Sequence, residues 1–379
     1  MKVLHIVEAT QGGTRRHVLD LLPALSSRGV HCHLAYSSLR YPPFIHDAKY
    51  LEQAGIKTRD LPMARGWSPR FDGSALRALM EQIRREKPDV VHCHSTKAGI
   101  LGRLAVFAAQ STLSRRIPVV YTPHCVAFDT GLPRSTRRAA RWIEKLLAPM
   151  TAHFIAVSHH EARALRRVVV SHRNRLSMIH NGIDLDDFDA LTPHFALRTS
   201  HLQVGCFGRL SPQKNQRALL AAWPLVRAQL PHATLSFIGD GEDQSTLKGL
   251  ARAWKLDDCV SFAGEFAEPR ALYVTFQIIV QPSRWEGCPY SVLEAMAARR
   301  AVLATDVGGL REVLGNSGQA GVLCKPCSPE ILASHIVALA HDPDCRKQLG
   351  SAARYRVESL FQLEAMVDKT LAVYERVLA

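Results

Sequence analysis

QPSRWEGCPYSVLEAMAARR, residues 281–300, is the stretch whose reading decides the fold. It carries two carboxylates, Glu286 and Glu294, with seven residues between them. Pro289 stands where a helix can begin, because its fixed φ suits the first turn and the N–H it lacks is not needed there. Val292, Leu293 and Met296 then set out an apolar helical face. Just upstream, residues 276–280 form a short apolar run that reads as a buried strand. The predicted order is strand, loop with Glu286, helix with Glu294. In an open α/β sheet, ligands bind at the carboxyl ends of strands, where such loops lie. Two ionised carboxylates there can grip hydroxyl groups, each accepting several hydrogen bonds. Read alone, the same residues fit a solvated loop glutamate and a salt-bridged helix glutamate equally well.

The rest of the chain tips that balance. At 379 residues it exceeds what one ordinary core fills, so two domains are expected. An apolar content of 47% with 22% charged residues is that of a soluble globular protein, and no apolar run is long enough to span a bilayer. Lys2–Val7 has no small-residue cleavage site after it and is expected to be a first strand, not a leader. The nine cysteines are odd in number and irregular in spacing, which argues against a disulfide framework and for a reducing compartment. Cys324-Lys-Pro-Cys327 is a lone C-x-x-C with no second pair, so two thiols beside a turn is preferred over a zinc site.

Charge is lopsided. Residues 1–180 hold 28 Lys and Arg against 12 Asp and Glu, an excess of +16, whereas residues 181–379 hold 20 against 22, or −2. Arg115 with Arg116, Arg134 with Arg137, Arg138 and Arg141, and Arg163 with Arg166 and Arg167 build the excess. Such a surface attracts anionic lipid headgroups, nucleic acid or phosphorylated substrates.

Taken in order, residues 2–7 and 31–36 read as strands around a turn holding Gly12 and Gly13. Thr14 is placed to cap a helix with apolar positions Val18, Leu21, Leu22 and Leu25. Paired glycines ahead of a helix let backbone N–H groups approach a phosphate or sugar, although an ordinary tight turn fits as well. Helices are predicted over 74–86, 96–110 (capped by Ser95) and 134–147, between strands at 89–92, 118–121, 153–157 and 177–179. Regular pattern lapses near 185–200, where the domain boundary is expected. The rhythm then restarts, with strands at 203–207, 233–238, 259–262, 301–304 and 322–323 and helices between and after them. Alternating strands and helices mean parallel sheets covered on both faces. Two such runs predict an α/β protein of two doubly wound domains with a cleft between them.

Further candidates sit in loops after strands. Arg209 and Lys214, five residues apart, could both reach one diphosphate or could be solvated surface cations. His124, in Thr122-Pro-His124, could bond a sugar hydroxyl or shuttle a proton, or could be structural. His92 and His94 share a strand face, but no carboxylate or further cysteine is placed to complete a metal site, and none is expected. Asp184-Leu-Asp186 falls at the domain boundary and reads as linker. No Gly-x-Ser-x-Gly, Walker loop or kinase signature is present, which removes the common hydrolase and NTPase readings.

With these residues placed, the chain resembles the retaining glycosyltransferases of family 4, also called group 1, over nearly its whole length. Glu286 and Glu294 stand at the spacing of that family's two-glutamate motif. Gly208-Arg209-Leu210 and Lys214-Asn215 match its donor-phosphate loop, and Gly12-Gly13 its N-terminal glycine loop. HSTKAGILGR (94–103), TPH (122–124), AVS (156–158) and HNGID (180–184) follow in the expected order. Departures are modest: His180 replaces a proline, Cys288 a polar or small residue, and Thr14 follows the glycines where a small and then an acidic residue are common.

The resemblance implies the GT-B architecture, two Rossmann-like domains facing each other across a cleft. It places an acceptor-side domain at 1–187, a nucleotide-sugar domain at 188–360, and a helix at 361–379 crossing back to the first. It implies that Arg209, Lys214 and the amides near Gly12 and Gly13 neutralise a diphosphate leaving group. Glu294 would bind ribose hydroxyls, Glu286 and His124 would hold the donor sugar, and Gly208, Gly308 and Gly309 would lie near the donor. No metal or other cofactor is expected. The implied co-substrates are a UDP- or GDP-linked sugar and a saccharide or lipid-linked acceptor. The expected product is a surface polysaccharide, lipopolysaccharide or glycolipid. The expected location is cytoplasmic, peripheral on the inner membrane face through the basic first half. An epimerase or hydrolase of nucleotide sugars on the same fold is the alternative. A nucleic-acid-binding protein is disfavoured, since aromatic residues total only 7% and supply no stacking platform.

Overall fold

The computed structural model describes all residues except 112, 114, 170–173, 191–200, 267 and 327. Contacts divide it into two units, Met1–Asn181 with Leu363–Ala379, and Gly182–Gln362. The chain passes to the second unit earlier than the expected boundary at 187. Ile183 already pairs with Gln362 and donates its N–H to Phe361, and Asp189 accepts from Arg354 at 2.7 Å. Part of the expected boundary stretch, 191–200, lies outside the described residues, as does Cys327 of the C-x-x-C. No disulfide joins any two of the eight described cysteines.

The first unit runs β1 (Lys2–Val7), α1 (Gly13–Ser27), β2 (His31–Tyr36), α2 (Phe44–Gln53), β3 (Lys57–Asp60), α3 (Pro69–Glu86), β4 (Val90–His94), α4 (Thr96–Gln110), β5 (Val119–Thr122), α5 (Arg134–Leu147), β6 (His153–Ala156), α6 (His159–Val168) and β7 (Leu176–Met178). Its seven strands pair in parallel in the order β3-β2-β1-β4-β5-β6-β7. Strand order reverses beside β1, so the connections after β1 and β4 leave in opposite directions at the carboxyl edge, the switch point where open α/β sheets bind ligands. The apolar rows of β1, β4 and β5 are buried on both faces, as parallel strands between helix layers must be. The second unit runs α7 (Asp186–Asp189), β8 (Gln203–Phe207), α8 (Gln216–Gln229), β9 (Thr234–Ile238), α9 (Gln244–Ala253), β10 (Val260–Gly264), α10 (Arg270–Tyr273), β11 (Ile278–Gln281), α11 (Tyr290–Ala297), β12 (Ala301–Thr305), α12 (Leu310–Leu314), β13 (Val322–Cys324), α13 (Pro329–His341) and α14 (Pro343–Leu360). Its six parallel strands stand in the order β10-β9-β8-β11-β12-β13, with the switch between β8 and β11. The last helix, α15 (Leu363–Leu378), belongs to the first unit and buries Met366, Val367, Val373 and Tyr374 in the core that holds Val18, Leu21 and Leu22 of α1.

Several local expectations need correction. α2 and β3 fall in a stretch for which no element was predicted; β3, Lys-Thr-Arg-Asp, is a polar edge strand with no apolar alternation to reveal it. α3 begins at Pro69, ahead of the predicted 74. Thr14 does not cap α1: the cap position is Gly12 at φ +67°, which gives no side-chain bond. Ser95 holds the cap position of α4, yet its buried hydroxyl makes no hydrogen bond. Pro289 is extended and precedes α11, whose first residue is Tyr290.

Candidate active site

The second unit brings the 281–300 stretch and the loop after β8 together at the carboxyl edge of the sheet. β8 and β11 are neighbours, so the loops that follow them emerge side by side. Three hydrogen bonds stitch the loops: Arg284 N–H to the Gln213 carbonyl at 2.8 Å, Gln213 Nε2 to the Trp285 carbonyl at 3.1 Å, and Asn215 Nδ2 to the Pro282 carbonyl at 3.2 Å. Asn215 adopts the left-handed conformation, φ +55°, and starts α8 directly after Lys214. Lys214 is thereby turned toward Glu286, with Nζ 2.7 Å from Oε1.

Glu286 is 7% exposed and its Oε1 is crowded with donors. Besides Lys214, Ser283 Oγ donates at 2.7 Å and Gln281 Nε2 at 3.3 Å. Gln281 is itself held by Ser291 Oγ, which donates to its Oε1 at 3.0 Å. A carboxylate so buried is tolerated only where a cation and several dipoles face it, as they do here. The Glu286 backbone is fixed as well: its carbonyl accepts the Gly309 N–H at 3.0 Å. Gly308 has φ +55°, and a Cβ built there would lie 1.9 Å from that carbonyl oxygen, so only glycine fits.

Glu294 projects from α11 and is 6% exposed. Its Oε2 accepts from Tyr273 Oη at 2.8 Å, and the Tyr273 ring stacks on Phe207 of β8 at 3.8 Å between centroids. Arg209 sits in the loop after Gly208 with Nε 4.0 Å from Glu242 Oε2. Its carbonyl accepts from Gln216 Nε2 at 3.0 Å, tying the loop to the start of α8. Arg209, Lys214, Glu286, Glu294, Gly208, Gly308 and Gly309 are thus all carried by loops and helix starts after β8, β11 and β12. Those ends can present cations to an anionic group and carboxylates to hydroxyls. Gln281, Ser283 and Tyr273 complete the constellation and were missed from sequence. Gln281 and Ser283 lie within the quoted motif, but nothing in their spacing marks them as partners of Glu286.

In the first unit His124 and the Gly12–Gly13 turn lie at the same edge of the other sheet, and the fold adds a feature absent from the sequence reading. Five imidazoles converge. His5 on β1 pairs in register with His92 on β4. His5 Nδ1 lies 3.1 Å from His94 Nε2, and His94 Nδ1 lies 3.1 Å from His124 Nε2. The His17 ring from α1 meets the His124 ring edge-on at 4.5 Å, and His17 Nδ1 is 3.2 Å from Asn181 Oδ1. His92 is held between Tyr374 Oη at 2.6 Å and Thr122 Oγ1 at 2.8 Å. Burial pushes His5 down to about 3 and His17 to about 4, and holds His92, His94 and His124 well below the ordinary imidazole value. All five are neutral at physiological pH. His5, His92 and His94, and separately His17, His94 and His124, bring ligand nitrogens within 4.8 Å of one another, close enough to hold a cation. The sequence reading found no partner for His92 and His94; the doubly wound strand order supplies three. Asp184 only closes a local turn, accepting the Asp186 N–H at 3.0 Å.

Beside His124, Glu161 of α6 is buried, with its Oε2 accepting the Val157 N–H at 2.8 Å while Ser158 Oγ accepts the Glu161 N–H at 3.1 Å. Burial raises the Glu161 carboxyl to about 7.

Residues 11–187 match the family described as Glycosyltransferase Family 4, and residues 201–342 match Glycosyl transferases group 1. EpsD of Bacillus subtilis (strain 168), assigned as a glycosyltransferase, is 30% identical over 77% of this chain and 78% of its own length. An Escherichia coli UDP-Gal:alpha-D-GlcNAc-diphosphoundecaprenol alpha-1,3-galactosyltransferase is 28% identical over 63% of each chain. The HepE protein of Anabaena, solved in complex with UDP-glucose, has the same fold, with a TM-score of 0.79, 21% identity, and 99% of this chain and 100% of that one covered. Two doubly wound sheets, a Lys–Glu pair with a second buried glutamate at the edge of one of them, and these likenesses place the chain among the family 4, group 1 glycosyltransferases of GT-B architecture.

Proposed function

We propose that this glycosyltransferase moves a sugar from a UDP- or GDP-linked donor to a saccharide or lipid-linked acceptor during polysaccharide, lipopolysaccharide or glycolipid synthesis. The observation that supports it most is the Lys214–Glu286 pair at 2.7 Å, held by the loops after β8 and β11 at the carboxyl edge of the second sheet, the first of which also carries Arg209. Breaking a sugar–phosphate bond builds negative charge on the diphosphate and positive charge on the sugar. In this reading Arg209 and Lys214 receive the diphosphate, as a planar fork and a point charge. Glu286 bridges Lys214 and the sugar hydroxyls, and Glu294, aimed by Tyr273, takes the ribose hydroxyls. The departing charge is met by side chains, with no metal required.

In the first unit the roles proposed for Gly12 and Gly13 toward phosphate, and for His124 toward the sugar, rest on the family resemblance. A neutral His124 suits hydroxyl recognition, where an imidazolium would repel the cationic sugar. Retention of anomeric configuration is proposed on the same ground. The lipid-linked acceptor named for the Escherichia coli relative and the UDP-glucose of the HepE structure favour a uridine donor and an acceptor at the inner membrane face. No helix among the described residues is long and apolar enough to cross a membrane. The test is a thermal-shift panel of nucleotide sugars, followed by mass analysis with lipid-linked and free saccharide acceptors. A donor-stabilised protein that transfers sugar to an acceptor supports the reading. Epimerised or hydrolysed donor as the sole product would overturn it.

A further inference from the structure

We propose that α5 is the surface by which this protein docks on an anionic bilayer, its Trp142–Leu146 ridge entering the headgroup region and its arginines lying along the phosphates. The inward side of the helix is fixed. Glu144 accepts from Arg103 Nη1 at 2.9 Å and Nη2 at 3.2 Å and from Tyr121 Oη at 3.1 Å, all buried. Leu147, one turn on, is buried, and Ala140, one turn back, packs on the core. The register that buries these three turns the opposite face outward, and that face is not built for water alone. Trp142 and Leu146, one turn apart, are 71% and 74% exposed, and Leu132 just ahead of the helix is also exposed. Exposed side chains at a surface are ordinary singly, but a tryptophan and a leucine stacked on one ridge need a covering.

Charge says what covers them. Arg134, Arg138, Arg141 and Lys145 are exposed along one side of the ridge, and Lys145 Nζ lies 5.3 Å from the Trp142 ring centroid. The helix has one acid, Glu144, and it is buried against Arg103. Asp129, the neighbouring acid that acts on Arg141, is paired with His160 at 2.7 Å. The outer face is therefore cationic and apolar together, the composition of a helix lying in a membrane interface. It complements anionic lipid and not a neutral or cationic protein surface.

This deepens the proposed membrane-face location but stands on its own geometry. Flotation with equimolar phosphatidylglycerol and phosphatidylcholine vesicles, against phosphatidylcholine alone, tests it on the full chain. Binding should require the anionic lipid and weaken with salt. Trp142→Ser with Leu146→Ser should lower the partition coefficient at least roughly tenfold. Arg138→Gln and Arg141→Gln should each cost about fivefold. Trp142→Phe should retain binding while abolishing the fluorescence blue shift that vesicles induce. Thermal stability and vesicle-free donor turnover should not change in the Trp142, Leu146 and Arg138 variants, whose side chains face outward, whereas Arg141 also lies 5.8 Å from the Phe128 ring centroid. Wild-type indifference to lipid charge, serine variants that bind normally, or a dimer that those variants dissolve would overturn the proposal. A wild-type protein that binds vesicles but transfers no sugar would instead refute the glycosyltransferase mechanism.

Discussion

Lys214→Ala separates a catalytic cation from a structural one. Its Nζ is 2.7 Å from Oε1 of Glu286, whose side chain is 6% exposed. Truncation leaves that carboxylate buried without its cation. Stranding one partner of a fully buried pair costs about 3–5 kcal/mol. Here Lys214 keeps 16% of its side chain in solvent, and Ser283 and Gln281 still donate to Glu286, so about 2 kcal/mol is expected. For a unit of this size that lowers Tm by roughly 5 °C. The catalytic loss is larger: one preorganised contact to a developing charge is worth about 3–4 kcal/mol, or about 10²–10³ in rate. It should fall on kcat, with the affinity for bound nucleotide sugar changed far less. Glu286→Gln distinguishes the two effects. In the double variant the stranded charge is gone, so Tm should recover while turnover stays low. Initial rates of acceptor glycosylation, followed by mass, together with thermal melts of all four proteins give the full cycle. Near-wild-type turnover in folded Lys214→Ala protein would remove Lys214 from the chemistry and leave the pair a structural strut.

Other substitutions probe the neighbours. Tyr273→Phe deletes the 2.8 Å bond to Glu294 and should weaken nucleotide binding by about fivefold to tenfold, measured by calorimetry, while the core stays packed around the ring. Gly308→Ala forces a Cβ against the Glu286 carbonyl at φ +55° and should cost more than about 2 kcal/mol, read as a lowered denaturation midpoint with lost donor binding. His94→Gln breaks the imidazole chain behind His124 and should lower turnover while leaving unchanged the nucleotide affinity that the proposed mechanism assigns to the second unit. Glu161 is raised by burial to about 7, so the native state favours its protonated form. That stability is complete below the ordinary carboxyl range and is lost as pH climbs to about 7, a total of about 3 kcal/mol. Glu161→Gln should flatten urea midpoints across that window and leave the variant the more stable protein at higher pH.

What the sequence disclosed follows from how local each feature is. Strands such as 203–207 and 278–281 are buried on both faces, so they appear as unbroken apolar runs that need no partner to be recognised. The Glu286 and Glu294 spacing is likewise contained in one loop and one helix. β3 escaped because an edge strand answers to one neighbour and can be wholly polar. The histidine cluster escaped for the opposite reason: His5 and His92 are far apart in the chain and become neighbours only through the parallel register of β1 with β4. That register was within reach. In a doubly wound sheet the strand after the third crossover returns beside the first, and aligning Val3 with Val90 puts His5 opposite His92. Glu161 was readable too, since Ser158 followed by Glu161 is a capping-box pattern; its burial was not.

The two carboxyl edges hold polar clusters of different kinds. Each sheet ends in a buried polar cluster, but the clusters differ in charge. In the first unit burial has driven five imidazoles to the neutral form, leaving hydrogen-bonding groups that discharge nothing into the site. In the second unit Lys214 and Glu286 are retained as a buried ion pair, a costlier arrangement that needs Ser283, Gln281 and a fixed backbone to hold it. A replacement of that pair by apolar residues would be the cheaper way to stabilise the loop, so its presence argues for a ligand that repays the desolvation. In the proposed mechanism a diphosphate would do so for the lysine and sugar hydroxyls for the glutamate. On this argument nucleoside diphosphate should stabilise the wild type against heat far more than it stabilises a Lys214→Met, Glu286→Met protein, even where the latter melts higher on its own.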